Sequence, residues 1–172
     1  MSGVAVRHGW VPGVVGEVVR AHAVFYAREW SFGPFFEAKV AREMGAFLQR
    51  YDPAKDRLFR AEDGDGRFLG ALAVDGGDSE LAEGVAHLRW FIAADGARGR
   101  GVGGALMRAG LAFLAEAGFR SCHLTTFAGL DTARRLYEGA GFVLAGEAEA
   151  ESWGTRVAEQ RFALDLAARR YR

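Results

Sequence analysis

Cysteine is almost absent from this chain. The single residue, Cys122, excludes an intramolecular disulfide framework and a cysteine-rich zinc site. It sits in an apolar, strand-like stretch, which predicts a buried and inert thiol. Charge of one sign is not in excess either, because 22 Lys plus Arg balance 22 Asp plus Glu. That balance argues against a nucleic-acid binder and against an acidic disordered tail. No run approaches the roughly 18–20 apolar residues of a membrane span, and no long apolar stretch follows basic residues at the start. The expectation is a cytoplasmic protein with no nucleic-acid or membrane partner. Internal repeats and low-complexity linkers are missing too. The 172 residues, 50% of them apolar, therefore read as one domain over 1–172 with a sizeable core.

Periodicity organises what is present. Val4 to Val6 reads as a first short strand. Val14 to Trp30 reads as a helix, with Val15, Val18, Val19, His22, Phe25 and Tyr26 on one stripe. His22 inside that stripe reads as a packed, hydrogen-bonded histidine. Ser31 to Pro34 breaks the pattern. A second helix carries Phe36, Val40, Met44, Phe47 and Leu48 on one face and ends at Asp52-Pro53. Arg57 to Glu62 and Arg67 to Asp75 read as strands joined by an Asp63-Gly64-Asp65-Gly66 hairpin turn. A strand over His87 to Ala93, a helix over Val102 to Ala117 and a strand over Arg120 to Thr126 imply a parallel pair with a crossover helix. Leu130 to Ala140 is a shorter helix. A strand from Gly141-Phe142 to about Glu149 and another from Thr155 to Leu166, joined through Ser152-Trp153-Gly154, complete the order. The tail from Ala167 to Arg172 is basic and expected to fray.

The stretch between the parallel strands carries the strongest chemical signal. It runs Phe91-Ile92-Ala93-Ala94-Asp95-Gly96-Ala97-Arg98-Gly99-Arg100-Gly101-Val102-Gly103-Gly104. Glycines at a helix start leave backbone N–H groups unpaired and unshielded, and the helix dipole adds partial positive charge, so the turn suits a phosphate. Three readings compete. Gly99, Gly101 and Gly104 satisfy G-x-G-x-x-G, the dinucleotide fingerprint of an NAD-binding oxidoreductase. That fingerprint wants an acidic residue at the end of the next strand. The next strand ends His123-Leu124-Thr125-Thr126-Phe127, without a carboxylate. A Walker loop fails, because no Lys-Ser/Thr pair follows Gly104. The glycines also suit a turn that merely lets a helix pack closely on a strand.

Arg98-Gly99-Arg100-Gly101-Val102-Gly103 fits a further string, Arg/Gln-x-x-Gly-x-Gly/Ala, and so resembles motif A of the GCN5-related N-acetyltransferases, the GNAT family. Ala133-x-x-Leu136-Tyr137-Glu138-x-x-Gly141-Phe142 resembles the family's A-x-x-L/F-Y-E-x-x-G-F segment, at about the family's separation. The order β-αα-βββ-α-β-α-ββ matches over nearly the whole chain. The resemblance implies an α/β (mixed α+β) GNAT fold whose parallel strands, 87–93 and 120–126, splay apart in a mixed sheet. Closer still, Leu88-Arg89-Trp90, Thr126-Phe127-Ala128-Gly129-Leu130 and Glu159-Gln160-Arg161-Phe162 resemble the acetyltransferase half of bacterial MarR–GNAT fusion proteins. Nothing supplies a winged helix, so no DNA-binding role carries over.

What the resemblance implies is acetyl transfer from acetyl-CoA to a primary amine of a small molecule or peptide, by direct attack in a ternary complex and without a metal. Such a transfer needs a deprotonated amine, stabilised charge on the carbonyl oxygen, and a tolerated or protonated thiolate. Pantetheine would pair with the backbone of Phe91, Ile92 and Ala93, and the pyrophosphate would lie over Arg98, Gly99, Arg100, Gly101, Val102, Gly103 and Gly104. Tyr137 matches the family's tyrosine near the sulfur and would protonate the leaving thiolate. His87 occupies the position of a general base, and Arg89 would share its face. Acceptor pockets of the family lie by the first two helices and the loops near Trp153, so Arg89 and Trp153 are candidate acceptor contacts. Many family members carry an asparagine where Leu130 stands here, so one side-chain contact to the cofactor is lost. An acyl-CoA-sensing module without turnover is the alternative in this fold, and a homodimer stays open.

Overall fold

Eleven elements form in the expected order in a computed structural model that describes residues 3–168. Strand β1 (Ala5–His8) precedes helices α1 (Val14–Trp30) and α2 (Pro34–Gln49). Strands β2 (Arg57–Glu62), β3 (Phe68–Asp75) and β4 (Val85–Ala93) follow. Helix α3 (Val102–Glu116), strand β5 (Ser121–Phe127), helix α4 (Asp131–Gly139) and strands β6 (Val143–Ala150) and β7 (Val157–Asp165) complete the chain. The basic tail expected to fray lies largely outside the described residues. The seven strands make one sheet in the order β1-β2-β3-β4-β5-β7-β6. Among the described residues only β4 and β5 run parallel; every other neighbouring pair is antiparallel.

Each face of the sheet buries one apolar cluster. Helices α1 and α2 supply Val14, Val18, Phe36, Val40, Met44 and Phe47 to one face, against Leu58, Ala71 and Ala73. These are the helical stripes that the periodicity marks, and proline at the first position of α2 sets its start. Helix α3 supplies Val102, Leu106, Met107, Phe113 and Leu114 to the other face, together with Tyr137 from α4. Cys122 lies in this second cluster, 1% exposed, and burial pushes its thiol up to about 12. The hairpin turn closes as its residues dictate. Asp63 accepts the backbone N–H groups of Asp65 and Arg67 at 2.9 and 3.0 Å, and Gly66 takes a positive φ of 76°.

Two irregularities shape the centre of the sheet. The parallel pairing of β4 with β5 ends at His87 opposite His123. Beyond that point β5 stays bonded to β7, out to Phe127 opposite Glu159, and the β4 side opens into a gap. The second irregularity is a β-bulge. Ala71 faces Ile92 but Ala73 faces Arg89, so Trp90 and Phe91 together oppose one residue of β3, and Trp90 takes φ 48°. Ala86 and Leu88 before the bulge point to the α3 cluster, whereas Trp90 and Ile92 pack with α1 and α2. The extra residue therefore flips the alternation, and Phe91 joins the α3 side. Simple two-residue periodicity does not show this reversal.

Candidate active site

The gap between β4 and β5 opens into two cavities that share Tyr26 and Phe91. The larger, about 850 Å³, runs along Ile92, Ala93 and the glycine turn to the start of α4. The smaller, about 280 Å³, lies between the sheet and the first two helices, and Trp153 and Glu159 close one side.

The larger cavity ends at the start of α3. Gly99 and Gly101 take φ 77° and 78°, the left-handed region that glycine enters without strain. Gly101 caps the helix without a side-chain hydrogen bond, and no acidic residue occupies the first turn. Ala105 donates the first helical bond, to Gly101 at 3.0 Å, so the amides of 102–104 have no carbonyl within the helix. This N-terminus is open to an anion. Helix α3 packs tightly at the same place: a Cβ at Gly103 would lie 2.8 Å from a Leu136 methyl. Arg98 lines the cavity, with its guanidinium 3.9 Å from the centroid of Phe25. Arg28 clamps the same loop to α1 through Asp95, at 2.6 and 3.1 Å. Arg100 is exposed and does not line the cavity. Leu130 lines the cavity at the position the sequence marked as unusual.

In the smaller cavity Tyr137 is 6% exposed and packs its ring 5.8 Å from Phe91 and 5.9 Å from Phe162. Burial raises its phenol well above the usual range, and the nearby Tyr26 phenol adds to this, so Tyr137 holds its proton at neutral pH. Tyr26 sits where the two cavities meet. Burial raises its phenol as well, with Arg98 acting in the opposite sense. In the sequence Tyr26 is legible only as part of a core stripe.

His87 faces this cavity, but its surroundings weaken it as a base. Its ring stacks on His123 at 4.5 Å. Burial, together with Arg89, His123, Arg161 and Lys39, lowers its pKa to about 3. Accepting an ammonium proton would make His87 a desolvated cation among other cations, which this setting disfavours. Desolvation and neighbouring cations thus work against the base role expected of His87. His22 is buried as the sequence implies, with Nδ1 2.8 Å from the Val18 carbonyl, and desolvation lowers its pKa to about 4. These two histidines set a pH dependence. Both fold neutral, whereas in the unfolded chain they gain protons near the ordinary value of 6.5. Their contribution is therefore complete above 6.5 and is lost progressively below it, by about 2 kcal/mol per histidine at about pH 5. Urea unfolding at neutral pH and near pH 5 should show that loss, and His87→Gln should reduce it by about half, leaving the His22 share. Equal stability at the two pH values would contradict the assignment.

Arg89 shares the His87 face, but its charge is committed. Its Nη2 donates to Glu43 at 2.6 Å and its Nη1 to Asp75 at 3.3 Å, and its guanidinium lies 4.4 Å from the Trp90 ring. Lys39 pairs with Glu43 too, and Asp75, fully buried, also accepts from Arg50 at 2.6 Å. The geometry makes Arg89 a brace between α2 and β3. Arg89→Met should lower stability by about 1–3 kcal/mol by leaving buried acceptors short of donors. A chemical melt that does not move, with lost ligand binding, would return Arg89 to a ligand role.

Trp153 reaches the cavity from the turn between β6 and β7. Its Nε1 donates to Glu159 Oε2 at 3.1 Å, and Ser152 Oγ donates to the same oxygen at 2.8 Å. Glu159 is the second residue that sequence reasoning missed. Strand alternation was the available signal, since it sets Glu159 on the face opposite Phe162, toward α1 and α2. Among the described residues no cluster of three His, Cys, Asp or Glu is placed to hold a metal, and no helix is long and apolar enough to cross a membrane.

A parallel pair that parts at mid-sheet, with a glycine-led helix at one end of the gap and a buried tyrosine inside it, is the arrangement expected of the family that the sequence motifs resemble. The profile described as the acetyltransferase (GNAT) family matches residues 21–142, and the chain belongs to that family. Solved structures share the fold. A protein provisionally assigned as a phosphinothricin N-acetyltransferase is 20% identical, with TM-score 0.76 over 95% of this chain and 99% of that one. A GCN5-related N-acetyltransferase from Kribbella flavida is 22% identical, with TM-score 0.76 over 95% and 98%. The spermidine/spermine N-acetyltransferase of Vibrio cholerae is 16% identical, with TM-score 0.69 over 98% and 96%. No curated protein matches the sequence.

Proposed function

We propose that this acetyltransferase moves an acetyl group from acetyl-CoA to a primary amine of a small molecule, by direct attack with both reactants bound. The observation that carries the reading is the meeting of two cavities at Tyr26 and Phe91, one ending in free helix amides and the other holding Tyr137. Acetyl-CoA supplies a thioester-activated acetyl group. The chain's residues that suit it are the unpaired edge of Phe91, Ile92 and Ala93, the amides of Gly99 to Gly104, and Arg98. Arg100 contributes at most from the rim. Tyr137, protonated and desolvated, is suited to give its proton to a departing thiolate. The edge amides of β4 are suited to stabilise charge on a carbonyl oxygen.

The reading places the reaction in the cytoplasm and involves neither metal nor nucleic acid. The likeness to the acetyltransferase half of MarR–GNAT fusion proteins belongs to the proposal and rests on the three short phrases quoted above. The test is thiol release from acetyl-CoA across a panel of amines. Release that depends on both the protein and one amine is expected. Binding of acetyl-CoA with no amine accelerating release would favour a sensing module.

A further inference from the structure

We infer that Glu159 is the proton acceptor of the smaller cavity, and that the cavity selects a monocationic primary amine on a compact apolar body without a neighbouring carboxylate. This deepens the proposed function and rests on it. Two donors, Ser152 Oγ and Trp153 Nε1, hold Glu159 Oε2, while Oε1 has no hydrogen-bond partner among the described residues. No Lys or Arg lies within ion-pair distance of Glu159 among the described residues, in contrast to Glu43. The carboxylate is thus oriented by its neighbours and not neutralised by them. Beside it stands an aromatic wall. Trp153 packs 5.9 Å from Phe36 and 5.7 Å from Phe127, and Tyr26 packs 4.9 Å from Phe36. A carboxylate set against aromatic faces recognises an ammonium group carried on an apolar stem.

The charges around the cavity narrow the acceptor further. Lys39 and Arg89 line it, but both are paired with Glu43, and Arg89 also with Asp75. His87 and His123 are both held toward the neutral form by burial and by nearby cations. Tyr26 stays protonated. Arg161, on the same strand as Glu159, is exposed and does not line the cavity. Among the described residues, no uncommitted cation in the lining is therefore placed to receive an acceptor's carboxylate. A cavity of about 280 Å³ also limits the body to a small one. The step assigned to Glu159 is a single proton transfer. The ammonium N–H bond breaks, the proton goes to a carboxylate oxygen, and the nitrogen keeps the electron pair with which it attacks. The proton then passes to water at the mouth of the cavity.

The probes are 2-phenylethylamine and L-phenylalanine, which differ only by the carboxylate, used with wild type, Glu159→Gln and Trp153→Phe. Glu159→Gln keeps an oxygen for Ser152 and Trp153. Calorimetry without acetyl-CoA should show 2-phenylethylamine binding to wild type, at least tenfold weaker in Glu159→Gln, and little L-phenylalanine binding. With acetyl-CoA at neutral pH, kcat/KM for 2-phenylethylamine should fall at least about 100-fold in Glu159→Gln. The deficit should shrink as pH rises toward the amine's own pKa of about 10, where solution deprotonates it. Trp153→Phe should give a smaller loss of the same pH shape. Equal use of the two probes, a Glu159→Gln activity within threefold of wild type, or a deficit constant across pH would each overturn the assignment. Failure of wild type to bind acetyl-CoA would defeat the acetyl-transfer reading by itself, and the amine calorimetry would still decide the site.

Discussion

Tyr137→Phe should lower kcat by about 10²–10⁴ while leaving the fold and acetyl-CoA binding nearly intact. The substitution removes one oxygen. The ring keeps its packing against Phe91, Phe142 and Phe162, so the core around α4 survives. No hydrogen bond to the phenol is present among the described residues, so stability should change by less than about 1 kcal/mol. A loss of 10²–10⁴ corresponds to roughly 3–5 kcal/mol of barrier. The catalytic role and the packing role therefore differ in where the loss appears. A large fall in kcat at unchanged melting temperature is the expected result. A kcat within about threefold of wild type would end the acid assignment, and thiolate departure would then proceed unassisted or through water.

Gly103→Glu should reduce acetyl-CoA affinity at least about 100-fold, or roughly 2.7 kcal/mol. The added carboxylate would stand at the start of α3, where amides without helical partners face the larger cavity, and it would repel an anion from that N-terminus. The contrast with Gly103→Ala makes the test specific. A Cβ at this position meets only a Leu136 methyl, at 2.8 Å, and a Phe91 ring carbon, at 3.5 Å. Leu136 is flexible and can give way, so Gly103→Ala should bind within a few-fold of wild type. Equal binding by both variants would place the pyrophosphate elsewhere. Equal loss in both would mean that helix packing, and not anion repulsion, dominates.

The sequence shows the fold almost completely because each helix faces one cluster with a regular stripe, and each turn carries the residues its geometry needs. Phe36, Val40, Met44 and Phe47 on α2 and the Asp63–Gly66 turn are legible for these reasons. Boundaries shift by a residue or two. The last strand is β7, Val157–Asp165, because the preceding turn at Trp153 and Gly154 takes up residues that read as strand. The site is less legible. The glycine turn is visible because its function lies in the backbone, where spacing and residue type coincide. His87, Arg89 and Glu159 depend on contacts between distant segments, which spacing does not encode. His87 lies next to His123 only because β4 and β5 pair at that level. Arg89 meets Glu43 and Asp75 from two other elements. Glu159 becomes a cavity residue only when the turn carrying Ser152 and Trp153 folds back on it. Tyr26 lies at the junction because the β4 bulge turns Phe91 toward the α3 side and the gap opens beside it.

A native mass spectrum of the protein incubated with equimolar acetyl-CoA and NAD tests the central claim most directly. The expected result is one acetyl-CoA bound per chain, no NAD, and loss of the acetyl-CoA adduct in Gly103→Glu. An NAD adduct without acetyl-CoA, or neither adduct at concentrations well above micromolar, would contradict the account.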